Sequence, residues 1–256
     1  MRARVRSVAV LSGGPLAPPE APVNPSAPDL APAPSRPDDR TDHDRTDHDR
    51  PDHVRLGVGA RLTLHPAADA FVEVIVSSLA AAQATVPQVE VHTDDVSTLL
   101  RGGERDVAAF VLACVAHAAR ITPTGHVVAT LALSRGCPGE VGCTLPAGEL
   151  PAVEPVDLPA TGVGASAHWA LYPLGTTDAM GPIEAAIATA QRRGTWGGAE
   201  HFATRLDGDL ADVLGTVVDT WTGVGREVAH VAAHVTVSVG SPSSRAAGAA
   251  TRGSAL

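Results

Sequence analysis

Thr98-Leu99-Leu100-Arg101-Gly102 and Thr204-Arg205-Leu206-Asp207-Gly208 align without a gap, and each glycine precedes an apolar helical pattern. Behind the first lie Val107, Phe110, Val111, Cys114 and Ala118. Behind the second lie Leu210, Leu214, Val217, Trp221 and Val224. Both sets recur at helical spacing, so each predicts an amphipathic helix. Upstream, Arg61-Leu62-Thr63-Leu64-His65-Pro66 matches His168-Trp169-Ala170-Leu171-Tyr172-Pro173, each a short strand stopped by proline. A helical pattern follows each strand, with Phe71, Ile75, Leu79 and Ala82 on one face in the first copy and Ile183, Ala186, Ile187 and Ala190 in the second. Downstream, Ser134-Arg135-Gly136-Cys137-Pro138 and Ser238-Val239-Gly240-Ser241-Pro242 close a strand in each copy. The last strand puts Val231, Ala233, Val235, Val237 and Val239 on one face.

Each block therefore reads strand, helix, strand, strand, helix, strand. The fold class is α/β of the α+β kind, two tandem ferredoxin-like βαββαβ repeats with antiparallel sheets. Two helices cover only one face of each sheet, so the other face needs a second sheet, from the partner repeat or from another subunit. The expected organisation is a disordered tail over residues 1–54, a first repeat over 55–142, a linker over 143–164, a second repeat over 165–242 and a disordered tail over 243–256. The first tail is Pro/Ala/Ser-rich and carries the small repeat Arg40-Thr41-Asp42-His43-Asp44, Arg45-Thr46-Asp47-His48-Asp49. Such a composition buries too little apolar surface to offset chain entropy.

The 256 residues are 44% hydrophobic but only 3% aromatic, so Ala, Val and Leu must fill the core. A net charge of −9 argues against a nucleic-acid partner, which would need clustered Lys and Arg. No apolar run approaches the roughly 18 residues of a membrane helix, and the N-terminal run is too short for a signal peptide, so a cytoplasmic location is expected. Of the cysteines, Cys114 falls in a helix core, and Cys137 and Cys143 lack the second cluster that a zinc site needs.

Polar residues concentrate at His92-Thr93-Asp94-Asp95-Val96-Ser97-Thr98 and at Glu200-His201-Phe202-Ala203-Thr204-Arg205-Leu206-Asp207. A hairpin turn explains such residues as well as a site does. Nucleophile-elbow, Walker and HExxH patterns are missing, and adjacent Asp94 and Asp95 would point to opposite faces of a strand. These features favour a binding module over an enzyme, with no metal and no cofactor.

The pattern His92–Thr98 with Arg101-Gly102, together with Gly136-Cys137-Pro138-Gly139, Leu171-Tyr172-Pro173 and Leu206-Asp207-Gly208-Asp209, resembles the YkoF-type thiamine/hydroxymethylpyrimidine-binding family. The resemblance runs from about Gly59 to about Pro242. It departs at His65, where the family usually has Tyr, and at Ala203-Thr204-Arg205. The resemblance implies a ligand-binding protein for thiamine or hydroxymethylpyrimidine uptake or salvage, a homodimer, and association with a membrane transporter. It implies ligand contacts from Leu64, Asp94, Ser97, Thr98, Arg101 and Ser134 in the first repeat. In the second they come from Leu171, Tyr172, His201, Thr204, Asp207 and Ser238. An aminopyrimidine edge suits Asp, Ser and Thr, with backbone groups near Leu64 and Leu171 as further partners. The duplication predicts one site per repeat, unequal because Arg101 aligns with Asp207. The cationic thiazolium should prefer the second site if Asp207 faces the pocket instead of capping the next helix. The alternative is a regulatory or oligomer-forming module for another metabolite, such as an amino acid.

Overall fold

The computed structural model describes residues 51–137 and 151–243. The Asp/His/Arg repeat, Cys143 and the C-terminal Ser/Ala/Gly segment lie outside the described residues. A short helix, α1 (Asp52–Arg55), precedes two βαββαβ units. The first comprises β1 (Gly59–Pro66), α2 (Phe71–Thr85), β2 (Glu90–Thr93), β3 (Thr98–Arg101), α3 (Glu104–Ile121) and β4 (Val127–Arg135). The second comprises β5 (Gly164–Leu174), α4 (Met180–Arg192), β6 (Trp196–Glu200), β7 (Ala203–Asp209), α5 (Leu210–Val224) and β8 (His230–Val239). Helix α1 begins inside the stretch whose composition reads as tail. It leads into Leu56 and Val58, both buried.

All strands join one antiparallel eight-stranded sheet in the order β2-β3-β1-β4-β8-β5-β7-β6. Leu62 stands opposite Thr98 and Leu131, and Trp169 stands opposite Thr204 and Val235. The two ladders thus share one register, which makes Thr98/Thr204, Leu64/Leu171, Ser134/Ser238 and Arg101/Asp207 equivalent positions. The halves meet edge to edge at the β4–β8 seam, with Leu131 paired to its own counterpart Val235. This geometry corrects one expectation. The partner repeat extends the sheet sideways, so it cannot stack over the face that the helices leave bare.

Alternation decides which residues are core. Ala60, Leu62 and Leu64 of β1 face the helices, as do Val127, Ala129, Leu131 and Leu133 of β4 and the five expected residues of β8. The expected apolar rows of α3 and α5 are buried throughout. Helix α2 differs: it buries Val74, Ser78 and Ala82, with Ile75 and Leu79 half-buried, while Phe71 is 52% exposed. Its apolar residues run around most of its circumference, so period alone could not pick the inward face.

Two details fix the seam. Gly136 and Gly240, at the ends of β4 and β8, hold φ of +100° and +63°. A Cβ on Gly136 would lie 2.1 Å from the Ala229 carbonyl oxygen, and one on Gly240 would lie 2.0 Å from that of Gly125. Hence the matching Arg135-Gly136 and Val239-Gly240 steps are a backbone requirement of a close crossing. Arg135 itself is fully buried. Its Nε donates to Glu104 Oε1 at 2.6 Å, Nη1 to the Thr222 carbonyl at 3.4 Å, and Nη2 to the Pro151 carbonyl. One guanidinium therefore ties α3, α5 and the inter-repeat segment together. That segment packs on α5: Val156 is buried and its N–H donates to Asp219 Oδ1 at 2.7 Å. Asp209 caps α5 by accepting from the Ala211 N–H and also accepts from the Thr161 and Gly162 N–H groups. Among the described residues no helix is long and apolar enough to cross a membrane.

Gly136→Ala and Gly240→Ala should each destabilise the fold by about 1–3 kcal/mol, because each forces an L residue into the left-handed region against a backbone oxygen. Glu104→Ala should cost about 3–5 kcal/mol, the penalty for leaving a buried guanidinium without its carboxylate. Urea unfolding midpoints measure both. Losses no larger than those of surface alanine substitutions would contradict this account of the seam.

Candidate functional site

Two recesses open on the face of the sheet away from α2, α3, α4 and α5, one in each repeat, with α1 bordering the first. The first, about 280 Å³, is lined by His53, Gly59, Arg61, Leu99, Arg101 and Ser134 among others. The second, about 210 Å³, is lined by Ser166, His168, Arg205, Thr236, Ser238 and Ser241 among others. By the ladder registers, Gly59, Arg61, Leu99 and Ser134 correspond to Ser166, His168, Arg205 and Ser238. The two recesses are therefore copies of one place in the fold. A larger groove of about 500 Å³ lies between α4 and α5 beside Gly223. At the corresponding helix pair of the first repeat, His117 Nε2 instead meets Ser77 Oγ at 3.2 Å.

The charges differ between the copies. In the first, Arg61 Nη1 donates to Asp94 Oδ2 at 2.8 Å and to Ser97 Oγ at 3.2 Å. Asp94 Oδ1 also accepts from the Val96 and Ser97 N–H groups, which closes the β2–β3 turn. Arg101 is exposed and makes no hydrogen bond or ion pair among the described residues. In the second, Arg205 Nε and Nη2 grip Asp207 at 2.9 Å each, and Nη2 also reaches Ser166 Oγ at 3.0 Å. Ser166 Oγ donates to Asp207 Oδ1 at 2.6 Å. Gly197 makes room for this carboxylate, since a Cβ there would sit 2.1 Å from Asp207 Oδ2. Partial burial pushes the Asp207 carboxyl up, but the bonds from Arg205 and Ser166 outweigh it and hold it below its ordinary range.

The residues singled out in the sequence divide between the faces. Arg101 and Ser134 line the first recess, Asp94 and Ser97 attach to it through Arg61, and Ser238 lines the second beside Asp207. Asp207 faces the open surface, and Asp209 is the helix cap instead. Leu64 and Leu171 are buried on the helix side, beyond the last β1–β3 and β5–β7 pairs. Thr98 is buried on that side as well, its Oγ1 3.0 Å from Thr93 Oγ1, and Thr204 shares its register opposite Trp169. The indole Nε1 of Trp169 is buried without a hydrogen-bond partner. Tyr172 is half-exposed at the far end of β5, and His201 sits at the β6–β7 turn beside fully exposed Phe202. Sequence reasoning missed His53, Arg61, His168, Ser166 and Thr236. Strand alternation carried a signal for Arg61 and His168, each one step from an inward Leu62 or Trp169.

The recesses offer guanidinium, hydroxyl and imidazole groups over a floor of small residues, suited to holding a polar heterocycle by its edge. Among the described residues no cluster of three or more His, Cys, Asp or Glu is placed to hold a metal ion. The turn bonds from Ser97 and Val96, then that from Arg61, lower the Asp94 pKa to about 2. A depressed carboxyl contributes stability above its unfolded pKa and loses it as pH falls through the folded value. The Arg61–Asp94 link should thus persist at pH 4 and fail only near pH 2. The carbon-13 chemical shift of the Asp94 carboxyl should titrate with a midpoint well below 3.8. A midpoint at the ordinary aspartate value would contradict the turn geometry.

Comparison with known proteins agrees with the duplicated fold. The model of the YKOF-related family matches residues 57–140 and 164–244, one match per repeat. A Bacillus subtilis (strain 168) protein named "Putative HMP/thiamine-binding protein YkoF" is 33% identical over 186 residues, which cover 72% of this chain and 91% of that protein. Two matched segments that coincide with the two βαββαβ units, and a relative aligned across both, place this chain in the YKOF-related family.

Proposed function

We propose that the protein binds thiamine or its hydroxymethylpyrimidine moiety, one ligand per repeat, in the two open-face recesses. We assign it to uptake or salvage in the cytoplasm, in association with a membrane transporter. The observation that carries the reading is the recurrence of a recess at one register in both repeats, each with a serine, Ser134 or Ser238, at its wall. Of the open-face positions of β1, β3 and β4, only Ser134 keeps its identity in the second repeat. A hydroxyl can both donate to a ring nitrogen and accept from the amino group, which is what an aminopyrimidine edge requires. The name of the Bacillus subtilis relative supports the ligand class. Binding alone needs no nucleophile–base pair; Ser134 Oγ does lie 3.2 Å from His230 Nε2, a contact that leaves the hydroxyl room for one further partner.

We extend the proposal to a homodimer formed through the same surface. The middle of the open face carries Thr130, Ala132, Ala170, Ala232 and Thr236 around the exposed imidazole of His234, which a second sheet laid there would cover. The recesses, at about 280 and 210 Å³, fall below the roughly 300–1,000 Å³ of enclosed ligand pockets. A second copy over the face would supply the missing wall and exclude water. The second recess should favour the cationic thiazolium, because Arg205 and Asp207 balance there, whereas the first holds Arg61, Asp94 and an extra Arg101.

Calorimetric titration with thiamine should give two ligands per chain with unequal affinities. Ser134→Ala should weaken the first site and Ser238→Ala the second, each by about tenfold or less, the worth of one neutral hydrogen bond. Thr98→Val should alter binding less than Ser134→Ala. The opposite order would move the ligand to the helix side, and a stoichiometry of one would end the two-site reading.

A further inference from the structure

The two recesses are copies in backbone and opposites in charge at one position. Gly59 pairs with Arg101 on one side and Ser134 on the other, so these three form a row across β3, β1 and β4. Ser166 likewise pairs with Asp207 and Ser238. In the second row Ser166 and Arg205 consume the carboxylate of Asp207. The first row has no such closure. Gly59 has no side chain to offer, and a Cβ there would meet the Leu100 carbonyl oxygen at 2.7 Å, so the notch beside Arg101 is built into the strand. Glu90 stands opposite Arg101 across β2–β3 without forming an ion pair with it. Arg61 is already neutralised by Asp94, which leaves Arg101, faced by Glu90 but in no ion pair among the described residues, as the cation at the wall open to a ligand.

A second observation points the same way. His53, on α1, lines this recess, and its Nε2 is buried without a hydrogen-bond partner. A buried polar nitrogen left unpaired is costly unless something else binds it. Arg101 and His53 bring a full positive charge and an imidazole nitrogen to one small volume, beside the Ser134 hydroxyl, which already meets His230 Nε2 at 3.2 Å. An oxyanion is the chemistry that suits Arg101 and His53 together, and guanidinium is the side chain best matched to phosphate oxygens.

We propose that the first-repeat recess selects the phosphate monoester of the hydroxymethylpyrimidine, with Arg101 and His53 holding the phosphate, while the second recess takes the unphosphorylated or cationic form. The proposal rests on the pyrimidine-binding reading and assigns its two sites different ligand charge states. A charged hydrogen bond gained at one site and not the other is worth about ten- to hundredfold in affinity. The test is calorimetry on the full chain with three probes: hydroxymethylpyrimidine, its phosphate monoester and inorganic phosphate. Wild type should bind the monoester at the first site at least tenfold more tightly than the alcohol. Arg101→Gln and His53→Gln should each shrink that ratio toward one, and Arg101→Lys should restore part of what Arg101→Gln loses. Rising salt should weaken the monoester more than the alcohol. Inorganic phosphate should bind weakly, in competition with the monoester. A first site that binds alcohol and monoester equally, or a ratio untouched by Arg101→Gln, overturns the proposal and leaves the pyrimidine reading standing. Equal binding of inorganic phosphate and the monoester would mean a bare anion site and also overturns it. If neither pyrimidine probe binds, the underlying reading falls as well.

Discussion

The antiparallel seam between β4 and β8 is the constraint on which the rest depends. It runs over nine registered pairs from Val127↔Val239 to Arg135↔Val231, through the mutual pair Leu131↔Val235. Once two repeats share this seam, both helix pairs must lie on one side, because residues paired across a ladder point to the same face. One continuous core results, in which Phe110 and Val111 of α3 and Trp221 of α5 are buried together with the inward rows of both halves of the sheet. The seam also explains the buried ion pair. Arg135 occupies the helix-facing position that Val239 holds in the second repeat, and its charge is met by Glu104 and carbonyl oxygens of α5 and Pro151. A buried charge seldom adds net stability. Its value here is register: it is satisfied only when α3, α5 and the inter-repeat segment are all in place.

The same constraint creates the surface on which we propose that ligands bind. A single sheet covered on one side exposes its other side across both repeats. Each repeat brings the ends of β1, β3 and β4, or of β5, β7 and β8, to one level there. The recesses are consequences of the strand lengths. Strand β3 stops at Arg101 opposite Gly59, so the chain beyond it turns away into α3 and leaves an open edge. Side chains, more than backbone, then decide what enters.

The tandem order, strand limits and both long helices were legible because each repeat checked the other. The gapless Thr-x-Leu-x-Gly match placed β3 and β7, and the twin Gly-x-Pro stops placed the ends of β4 and β8. What was not legible was the face of individual residues. Thr98 and Arg101 occur in one short motif, yet they point to opposite sides of the sheet, because their separation is odd. Leu64 falls on the core side and Arg61 on the open side for the same reason. How the repeats join was equally hidden. Strand patterns are identical whether two sheets stack or extend each other, and the β4–β8 ladder, closed at its ends by Gly136 against Ala229 and Gly240 against Gly125, tells them apart. Helix α2 misled for a third reason: with apolar residues on nearly every side, it has no polar face to mark solvent.

The pattern of difference between the repeats says which surface was left free to vary. On the helix side most paired positions keep their character, among them Ala60/Ala167, Leu64/Leu171, Leu100/Leu206, Ala129/Ala233 and Leu131/Val235, with Leu62/Trp169 and Arg135/Val239 as the departures. Close packing imposes that, since a changed volume in a shared core is felt on both sides of the seam. On the open side almost nothing is kept: Gly59/Ser166, Arg61/His168, Leu99/Arg205, Arg101/Asp207 and Ala132/Thr236 all differ in size or charge. Mere solvent exposure would permit drift, but drift does not explain why the carboxylate gained at Asp207 comes with Arg205, Ser166 and Gly197 arranged to hold it. Nor does it explain why a serine, Ser134 or Ser238, stands at the wall of both recesses. A retained hydroxyl surrounded by re-built charge is the arrangement expected when two sites recognise one chemical core and discriminate what is attached to it.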